Sequence, residues 1–470
     1  MGIPTRDSSP GGNAGSIAEL TAAVVRLEAR ISELTEGLAA RDARIAELEK
    51  LLENSRRSGK RQAAPFSKGD PAEEPARPGR RSGKNHGRHG HRAVPVAPID
   101  RELLAPVPSL CPDCGGEVVH VRDAEQFSCE LPDARPVVTR FTIGVGRCTR
   151  CKKRVQGRHP EQTGDALGAA ASQIGPHAKG LATWLHYALG LSFQKTSAVL
   201  SHLGVPVTAG ALCSGAQATG TDLVPVHHAI VEKLNDASMV VMDETGWRVE
   251  GSGAWLWTAT SKEATAYNVA EGRGFDAATV LLAEEYAGTL VRDGWVVYRS
   301  YEKATHQTCI AHLLRRCVEL ETDLPDWARG TPRQVKEILL AALDARELSK
   351  AKRKAVVDDL AERIELLAEA AHPHDANRRL VKHLTNEADA LFTFLDNPNV
   401  DATNWRGEQA IRPAVVNRKV WGGNRTWRGA ATQGRIMSAI RTATQQGVDP
   451  IEFLIRLARA PDPGAVSLFA

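Results

Sequence analysis

The segment that decides the fold is Ser238–Val249, which has the sequence SMVVMDETGWRV. An apolar run ends at Asp243, polar residues and Gly246 follow, and a second, alternating apolar run covers residues 254–260. This pattern is typical of a β-hairpin with an acidic residue at the buried end of its first strand. A buried carboxylate is unfavourable unless it is paired or binds a cation. The alternative is that Asp243 only begins a turn beside a glycine.

The strand pattern continues and repeats the same arrangement. Residues 265–270 predict a third strand, a helix is expected over about residues 277–286, and residues 289–294 predict a short apolar strand that ends in Asp293 and a glycine. Three strands, a helix and a fourth strand with a second carboxylate follow the order of a ribonuclease-H-like fold. Glu244 is expected to point outward on the opposite face of its strand from Asp243, and it is the poorer metal-ligand candidate.

A third acidic candidate, Glu408, follows a segment (335–395) whose pattern predicts an all-α insertion. A glutamate among arginines is usually a salt-bridge partner, but its place after two strand-end aspartates suggests a third metal ligand. Three carboxylates can hold two Mg²⁺ or Mn²⁺ ions roughly 3.5–4 Å apart for in-line displacement at a phosphodiester. The basic residues that follow would neutralise DNA phosphates.

Cys309 and His312 lie where a predicted strand runs into a helix. Residues three apart share a face of a helix, so these two side chains can act together. No second pair accompanies them, and we therefore expect packing and positioning beside the acidic residues rather than half of a metal site.

Two C-x-x-C pairs, Cys111/Cys114 and Cys148/Cys151, predict one structural zinc site with four thiolate ligands. Alternating apolar residues between the pairs, over 137–145, predict a hairpin that connects them. A redox pair is the alternative, and Cys129 is expected to be a spare core thiol.

The region before the zinc site has two distinct parts. Apolar residues at steps of three and four over residues 17–52 predict a coiled coil, most simply of a dimer, with Arg41 in a core position; a single docked amphipathic helix is the alternative. Residues 55–97 contain eleven Lys/Arg and three Asp/Glu, which predicts a disordered basic linker that also binds phosphates. After the zinc site, residues 191–212 resemble a helix-turn-helix, with two ordinary packed helices as the alternative.

Bulk composition limits the class of protein. A chain of 470 residues with 42% apolar and 25% charged residues is typical of a globular protein with several domains. We expect no membrane span and no signal peptide, and hence a cytoplasmic, nucleoid-associated protein. The net charge of +4 requires that any nucleic-acid affinity come from local basic patches.

Several of these motifs together resemble the transposases of the insertion-sequence-66 family. The shared features are the block around Asp243, Asp293-Gly294, Cys309 and His312 with the residues before them, Glu408 with its surroundings, and the heptad, linker and paired-cysteine regions. The family pattern around the glutamate is commonly Thr-Asn-Asn-x-Ala-Glu-Arg, whereas this chain has Trp405 for the second Asn, Gly407 for the Ala and Gln409 for the Arg.

The resemblance implies a DDE-type transposase that uses Mg²⁺ for hydrolysis and strand transfer at the ends of its own element, with Asp243, Asp293 and Glu408 as catalytic acids. It implies double-stranded DNA partners (terminal inverted repeats and target DNA), a homo-oligomer of at least two copies, and accessory proteins of the same element. The supporting and DNA-contact candidates are Cys309, His312, Asn404, Arg412, Arg418, Lys419 and Arg425. The alternative is a catalytically inactive, domesticated DNA-binding relative.

The predicted organisation is multidomain, with an α/β ribonuclease-H-like catalytic domain interrupted by an all-α insertion. Its segments are an N-terminus without structure (1–16), a coiled coil (17–54), the basic linker (55–97), a zinc ribbon (98–157), a helical DNA-binding region (158–236), the first part of the catalytic core (237–330), the insertion (331–398), the last part of the core (399–457) and a C-terminal tail (458–470).

Overall fold

The computed structural model describes residue 24 and residues 98–130, 135–168 and 173–469 of the chain. The chain divides into two units, Met1–His91 and Arg92–Ala470. Apart from Val24, which is helical, the predicted N-terminal segment, coiled coil and basic linker lie outside the described residues. No helix in the described ranges is long and apolar enough to cross a membrane.

The two cysteine pairs each lie in a small hairpin of their own. Strands β1 (Val145–Arg147) and β2 (Arg154–Gln156) pair antiparallel around the second cysteine pair, and a bridge between Leu110 and Glu117 flanks the first. The hairpin predicted between the pairs over 137–145 is wrong, because most of that segment is irregular and Val137 and Val138 are exposed. Side chains with no opposite surface to pack against do not hold a strand in place.

Four helices precede the main sheet, as the sequence pattern predicts. They are α1 (Pro176–Tyr187), α2 (Phe193–His202), α3 (Ala209–Asp222) and α4 (Val224–Asn235). Gly204, with a positive φ of 80°, follows α2, and the Thr208 hydroxyl accepts a hydrogen bond from the Ala211 amide at the start of α3. Leu200 and Leu212 pack together in a small core of this region. The helices α2 and α3 are therefore packed together across a turn, which fits both the predicted helix-turn-helix and the alternative of two ordinary packed helices.

The main sheet has five strands in the order β5–β4–β3–β6–β7. The pairs β3–β4 and β4–β5 are antiparallel, whereas β3–β6 and β6–β7 are parallel. The strands are β3 (Met239–Val249), β4 (Ser252–Thr260), β5 (Thr265–Ala270), β6 (Thr289–Arg292) and β7 (Thr305–Thr308). The mixed α/β class is therefore confirmed.

The helix expected over 277–286 is almost absent, since only the short helix α5 (Phe275–Ala278) forms there. The amide of Ala283 donates to the Asn235 side chain instead of to the preceding turn. Leu281 and Leu282 are completely buried. Tertiary packing thus overrides the helical pattern in this segment.

The remaining helices follow β7. They are α6 (Ile310–Asp323), α7 (Gly330–Asp344), α8 (Lys350–Glu369), α9 (Asp375–Asn386), α10 (Ala388–Leu391), α11 (Thr393–Asp396), α12 (Trp405–Trp421), α13 (Trp427–Gln445) and α14 (Pro450–Arg459).

Both faces of the sheet are buried. Val240 and Met242 of β3 belong to one hydrophobic cluster together with residues of α4 and α13. Val241, between them, belongs to a second cluster with residues of α6, α7, α8 and α9. Because successive residues of a strand point to opposite faces, β3 is the layer between two cores.

Both edges of the sheet are covered by helices. At β5, the amides of Thr265 and Tyr267 donate to the hydroxyls of Thr442 and Ser438 on α13. At β7, the Thr393 hydroxyl donates to the carbonyl of His306, 2.6 Å away. Side chains of neighbouring helices therefore satisfy backbone groups at each edge.

Candidate active site

Asp243 lies inside β3 rather than at a turn. The hairpin turn is Glu250-Gly251, where both residues have positive φ and Val249 pairs with Ser252 across it. This is the two-residue loop that antiparallel hairpins favour. The prediction that the first strand ends at Asp243 is therefore wrong, and so is the alternative that Asp243 only begins a turn.

The parallel register brings Asp243 next to Asp293. Val240 is opposite Leu290 and Val241 is opposite Val291, and β6 ends one residue before Asp293. Two residues further along both strands, this register places the two aspartates side by side.

The pKa of Asp243 is raised to about 7. Burial is the largest cause, and the charges of Glu244 and Asp293 act in the same direction. The amide of Glu244 donates to Asp243 Oδ1 at 2.9 Å and partly opposes the shift. Clustered, desolvated carboxylates of this kind are characteristic of functional sites. Their oxygen donors fit a hard divalent cation, which would offset the repulsion between them.

Asp293 is fixed by a local turn. The Trp295 amide donates to Asp293 Oδ1 at 2.8 Å. A Cβ atom at Gly294 would lie 2.4 Å from Cε1 of His383, so any other residue at this position would displace that imidazole. The Asp-Gly pair thus allows an imidazole of α9 to approach the backbone beside the second acidic residue.

Glu244 is buried, which corrects the expectation that it points outward. Its side chain is 1% exposed, and it accepts hydrogen bonds from Arg273 Nε at 2.8 Å and from the Tyr298 hydroxyl. The face of β3 that carries Glu244 is covered by the same core as Val240 and Met242, so alternation along the strand does not lead to solvent. Removal of Glu244 would leave Arg273 without its carboxylate partner.

Arg273 is a site residue that sequence reasoning missed. Its guanidinium stacks between the rings of Trp255, at 4.6 Å, and Trp295, at 3.9 Å. Stacking on two indoles and pairing with Glu244 hold this cation beside the residue that follows Asp243 in β3. The sequence contains one weak indication of this contact: Trp255 and Trp295 each lie close to a strand that leads to an acidic residue.

His312 lies between the acidic pair and Glu408. The Cys309 sulfur beside the imidazole is the main cause of a raised His312 pKa, and the charge of Asp293 contributes in the same direction. His312 Nε2 is 3.7 Å from Glu408 Oε1, and Arg315 Nη2 is 3.9 Å from the same oxygen. The structure therefore places Cys309 and His312 beside the acidic residues, as the prediction expects.

Glu408 itself is not grouped with the two aspartates. In the described ranges, no three His, Cys, Asp or Glu side chains are arranged to hold a metal ion. Glu408 lies in the first turn of α12 with its side chain 45% exposed. Its two closest nitrogen contacts are longer than hydrogen bonds.

The turn before Glu408 packs closely at Gly407, one of the positions where this chain departs from the family pattern. Asn404 is completely buried, and its backbone amide donates to the Cys309 sulfur. A Cβ atom at Gly407 would lie 2.1 Å from Asn404 Oδ1 and 3.2 Å from the Val241 side chain. Glycine at this position allows the start of α12 to pack directly against β3.

Comparison with known proteins finds a match over the region that carries these residues. The sequence profile described as Transposase IS66 family matches residues 172–432, which include the acidic pair, His312 and Glu408. The chain belongs to this family. It is also 27% identical over 317 residues to a protein of Sinorhizobium fredii (strain NBRC 101917 / NGR234) described as uncharacterized protein y4qI. That alignment covers 57% of this chain and 56% of the relative, so the chain spans about half the length of that protein.

The basic candidates of this IS66 family chain fall into two groups. Arg418 is engaged with β3, where its guanidinium donates to the carbonyl of Gly246. Arg412, Lys419 and Arg425 are exposed. The exposed side chains of Arg412 and Arg425 can be reached by a large ligand, whereas Arg418 anchors α12 to the sheet.

The paired cysteines form two matching turns. In each, the amide of the residue four positions on donates to the first cysteine's carbonyl at 2.9 Å; the donors are Gly115 and Lys152. Both donors have positive φ. Backbone amides, first that of Asp113, lower the pKa of Cys111, and those of Cys151 and Arg150 act likewise on Cys148. Each turn thus fits half of a thiolate site, although the structure does not bring the four thiols into one group.

Proposed function

We propose that this IS66 family member is a DNA transposase that hydrolyses and joins phosphodiester bonds with divalent cations bound at Asp243 and Asp293. The observation that carries the proposal is the placement of Asp293, directly after β6, beside Asp243 on the neighbouring parallel strand β3. Burial of Asp243 and the nearby charges of Glu244 and Asp293 together raise its pKa to about 7. The sheet order β5–β4–β3–β6–β7, with three antiparallel strands followed by two parallel ones, supports a ribonuclease-H-like catalytic domain.

The residues of the site have separate tasks. Asp243, fixed in the central strand, and Asp293, fixed by the Trp295 amide, would hold Mg²⁺ or Mn²⁺. When bound, such ions activate the attacking water or 3′-hydroxyl and stabilise the leaving oxygen. Glu408 would join as the third ligand through rotation of its exposed side chain. His312, whose pKa is raised, would place positive charge beside the acidic residues.

DNA binding would use surfaces around this site. Arg412, Lys419 and Arg425 would contact phosphates, and the α2–α3 unit would supply a helix-turn-helix contact. Cys111, Cys114, Cys148 and Cys151 would bind one structural Zn²⁺ ion. The predicted coiled coil would join at least two copies, with accessory proteins of the same element as further partners.

The test is an assay of purified full-length protein on double-stranded DNA carrying the ends of its own element, with Mg²⁺ or Mn²⁺. We expect strand cleavage and joining, and Asp243→Asn should reduce both by about 100-fold or more, because a metal ligand contributes several kcal/mol. Asp323→Asn, an exposed aspartate at the end of α6, is the matched control and should retain activity.

One observation favours the second candidate function, a non-catalytic DNA-binding relative. Glu408 is separate from the aspartates and contacts His312 and Arg315 instead. Specific binding of end DNA without cleavage under either cation would select this alternative and refute the first.

A further inference from the structure

Glu387 is a buried carboxylate at the junction of α9 and α10, far in sequence from the acidic pair. Its side chain is 0% exposed. Arg299 Nε donates to Oε1 at 2.9 Å, while Arg292 Nη1 and the Thr308 hydroxyl both donate to Oε2. A buried carboxylate with two guanidinium partners and a hydroxyl is fully satisfied, and its removal would leave charges uncompensated.

The partners of Glu387 stand at the ends of two strands. Arg292 is the last residue of β6, directly before Asp293, and its Nη1 atom also donates to the backbone carbonyl of Asp293 at 3.1 Å. Thr308 is the last residue of β7, directly before Cys309. One side chain from the helical segment after β7 therefore contacts both strand ends beside the acidic pair.

The charges around this carboxylate are unbalanced. Two guanidinium groups share one glutamate, only one of them being well buried: the side chain of Arg292 is 3% exposed and that of Arg299 is 33% exposed. The Arg292 guanidinium lies against the backbone carbonyl of Asp293. In the described ranges, however, no arginine or lysine forms an ion pair with the Asp293 carboxylate, whose Oδ1 accepts the Trp295 amide. Glu387 thus occupies the guanidinium that would otherwise compete for Asp293.

We propose that Glu387 is a positioning residue that holds Arg292 and Arg299 away from Asp293, so that the Asp293 carboxylate stays available to a divalent cation. The proposal rests on the proposed function insofar as Asp293 is a cation ligand. It makes the helical segment around α9 part of the active site's electrostatics rather than an appended module.

The test measures Mn²⁺ binding to the full chain by calorimetry, without DNA. Glu387→Gln keeps the shape of the side chain and a hydrogen-bond acceptor but releases two guanidinium groups, so the Kd for Mn²⁺ should rise about tenfold. Arg299→Gln removes one positive charge, and Arg292 then remains as the single guanidinium partner of Glu387. Because less positive charge opposes the bound Mn²⁺, the Kd should fall about threefold. The change in Kd should therefore have opposite signs in Glu387→Gln and Arg299→Gln. Loss of a merely structural contact would instead raise the Kd in both variants.

Glu285→Gln is the matched control, because it removes a glutamate from an exposed pair with Lys303 and should leave the Kd unchanged. If Asp293→Asn loses Mn²⁺ binding while Glu387→Gln keeps it within twofold of the wild type, the positioning role is overturned and the metal site stands. If both Asp293→Asn and Glu387→Gln bind Mn²⁺ as the wild type does, Asp293 is not a cation ligand and the proposed function fails as well. If circular dichroism shows that Glu387→Gln does not fold, Arg299→Gln decides: a lower Kd supports the proposal, and an equal or higher Kd overturns it.

Discussion

At the residue scale, the carboxylate of Asp243 is suited to bind a cation but lowers the stability of the folded protein. It lies between two hydrophobic cores, in the central strand of the sheet, with Glu244 and Asp293 beside it. An ionised carboxylate in this place opposes folding unless a cation binds to it. Residues that a protein keeps for function commonly reduce its stability in this way.

This conflict predicts that Asp243→Asn stabilises the metal-free protein at pH 8 by about 1–3 kcal/mol. The pKa of this carboxyl is about 7 in the folded chain, against about 3.9 in an unfolded chain. The folded state holds more protons between these values, so its stability falls as the pH rises from about 4 to about 7 and stays low above that. Asparagine does not titrate, and the advantage of the variant must therefore grow over the same range.

Urea unfolding in EDTA at pH 5 and pH 8 measures this difference. The gain in unfolding free energy should be clearly larger at pH 8. Asp323→Asn serves as the control and should show no such pH dependence. An advantage of Asp243→Asn that is equal at the two pH values would contradict the prediction.

At the scale of elements, α13 packs closely against the edge strand β5. Ser438 and Thr442, four residues apart on one face of the helix, accept amides of the strand. Gly434, one turn earlier on that face, allows the approach, since a Cβ atom there would lie 2.8 Å from the carbonyl oxygen of Tyr267. Small and hydroxyl-bearing residues every four positions allow a helix to lie against an edge strand and to accept hydrogen bonds from its backbone amides.

Gly434→Ala should therefore destabilise the protein by about 1–3 kcal/mol, the usual cost of overpacking. The matched control is Gly215→Ala in α3, where a Cβ atom would meet nothing within 4 Å. That change should stabilise by up to about 1 kcal/mol, because alanine is the better helix former. Unfolding midpoints of the two variants measured side by side should shift in opposite directions, and a shift of the same sign in both would refute this account of the contact.

Sequence patterns predict elements well where the decisive signal is local. Apolar runs followed by an aspartate predict β3 and β6 and the pairing of Asp243 with Asp293. The turn was misplaced because the polar residues Glu244 and Thr245 resemble a turn, while the actual turn depends on positive φ at Glu250 and Gly251.

Contacts between distant parts of the chain could not be predicted. Glu387 resembles any charged residue of a solvated helix, and only the fold brings it to Arg292, 95 residues away. The same holds for Arg273 between two tryptophans. These buried charges matter through their partners, which a linear pattern does not contain.

At the scale of the whole molecule, the two cysteine turns are the remaining functional prediction. Each presents its thiols from a tight backbone turn with the same hydrogen bonds. Two such turns complete a tetrahedral site when one ion joins them. The region before the catalytic core would then depend on metal for its folding.

We expect about one zinc ion per purified chain, and Cys111→Ser should remove it, since a three-cysteine site loses much of its affinity. Metal analysis after dialysis measures the content. Cys129→Ser is the control and should retain zinc, because this cysteine belongs to neither turn. Cys129 is exposed, so the prediction of a core thiol is wrong. Absence of zinc from the wild type, or its retention in Cys111→Ser, would rule out the four-cysteine site.

The helices that cover the two sheet edges limit how copies of this chain can assemble. A neighbouring molecule cannot extend the sheet by adding a strand, because α13 already binds the β5 amides and Thr393 already binds the β7 backbone. Assembly must therefore proceed through side-chain surfaces of helices or through the N-terminal heptad segment. Contacts of that kind can separate and reform without unfolding the five-stranded sheet, which would suit the gathering and later release of two DNA ends that the proposed function requires.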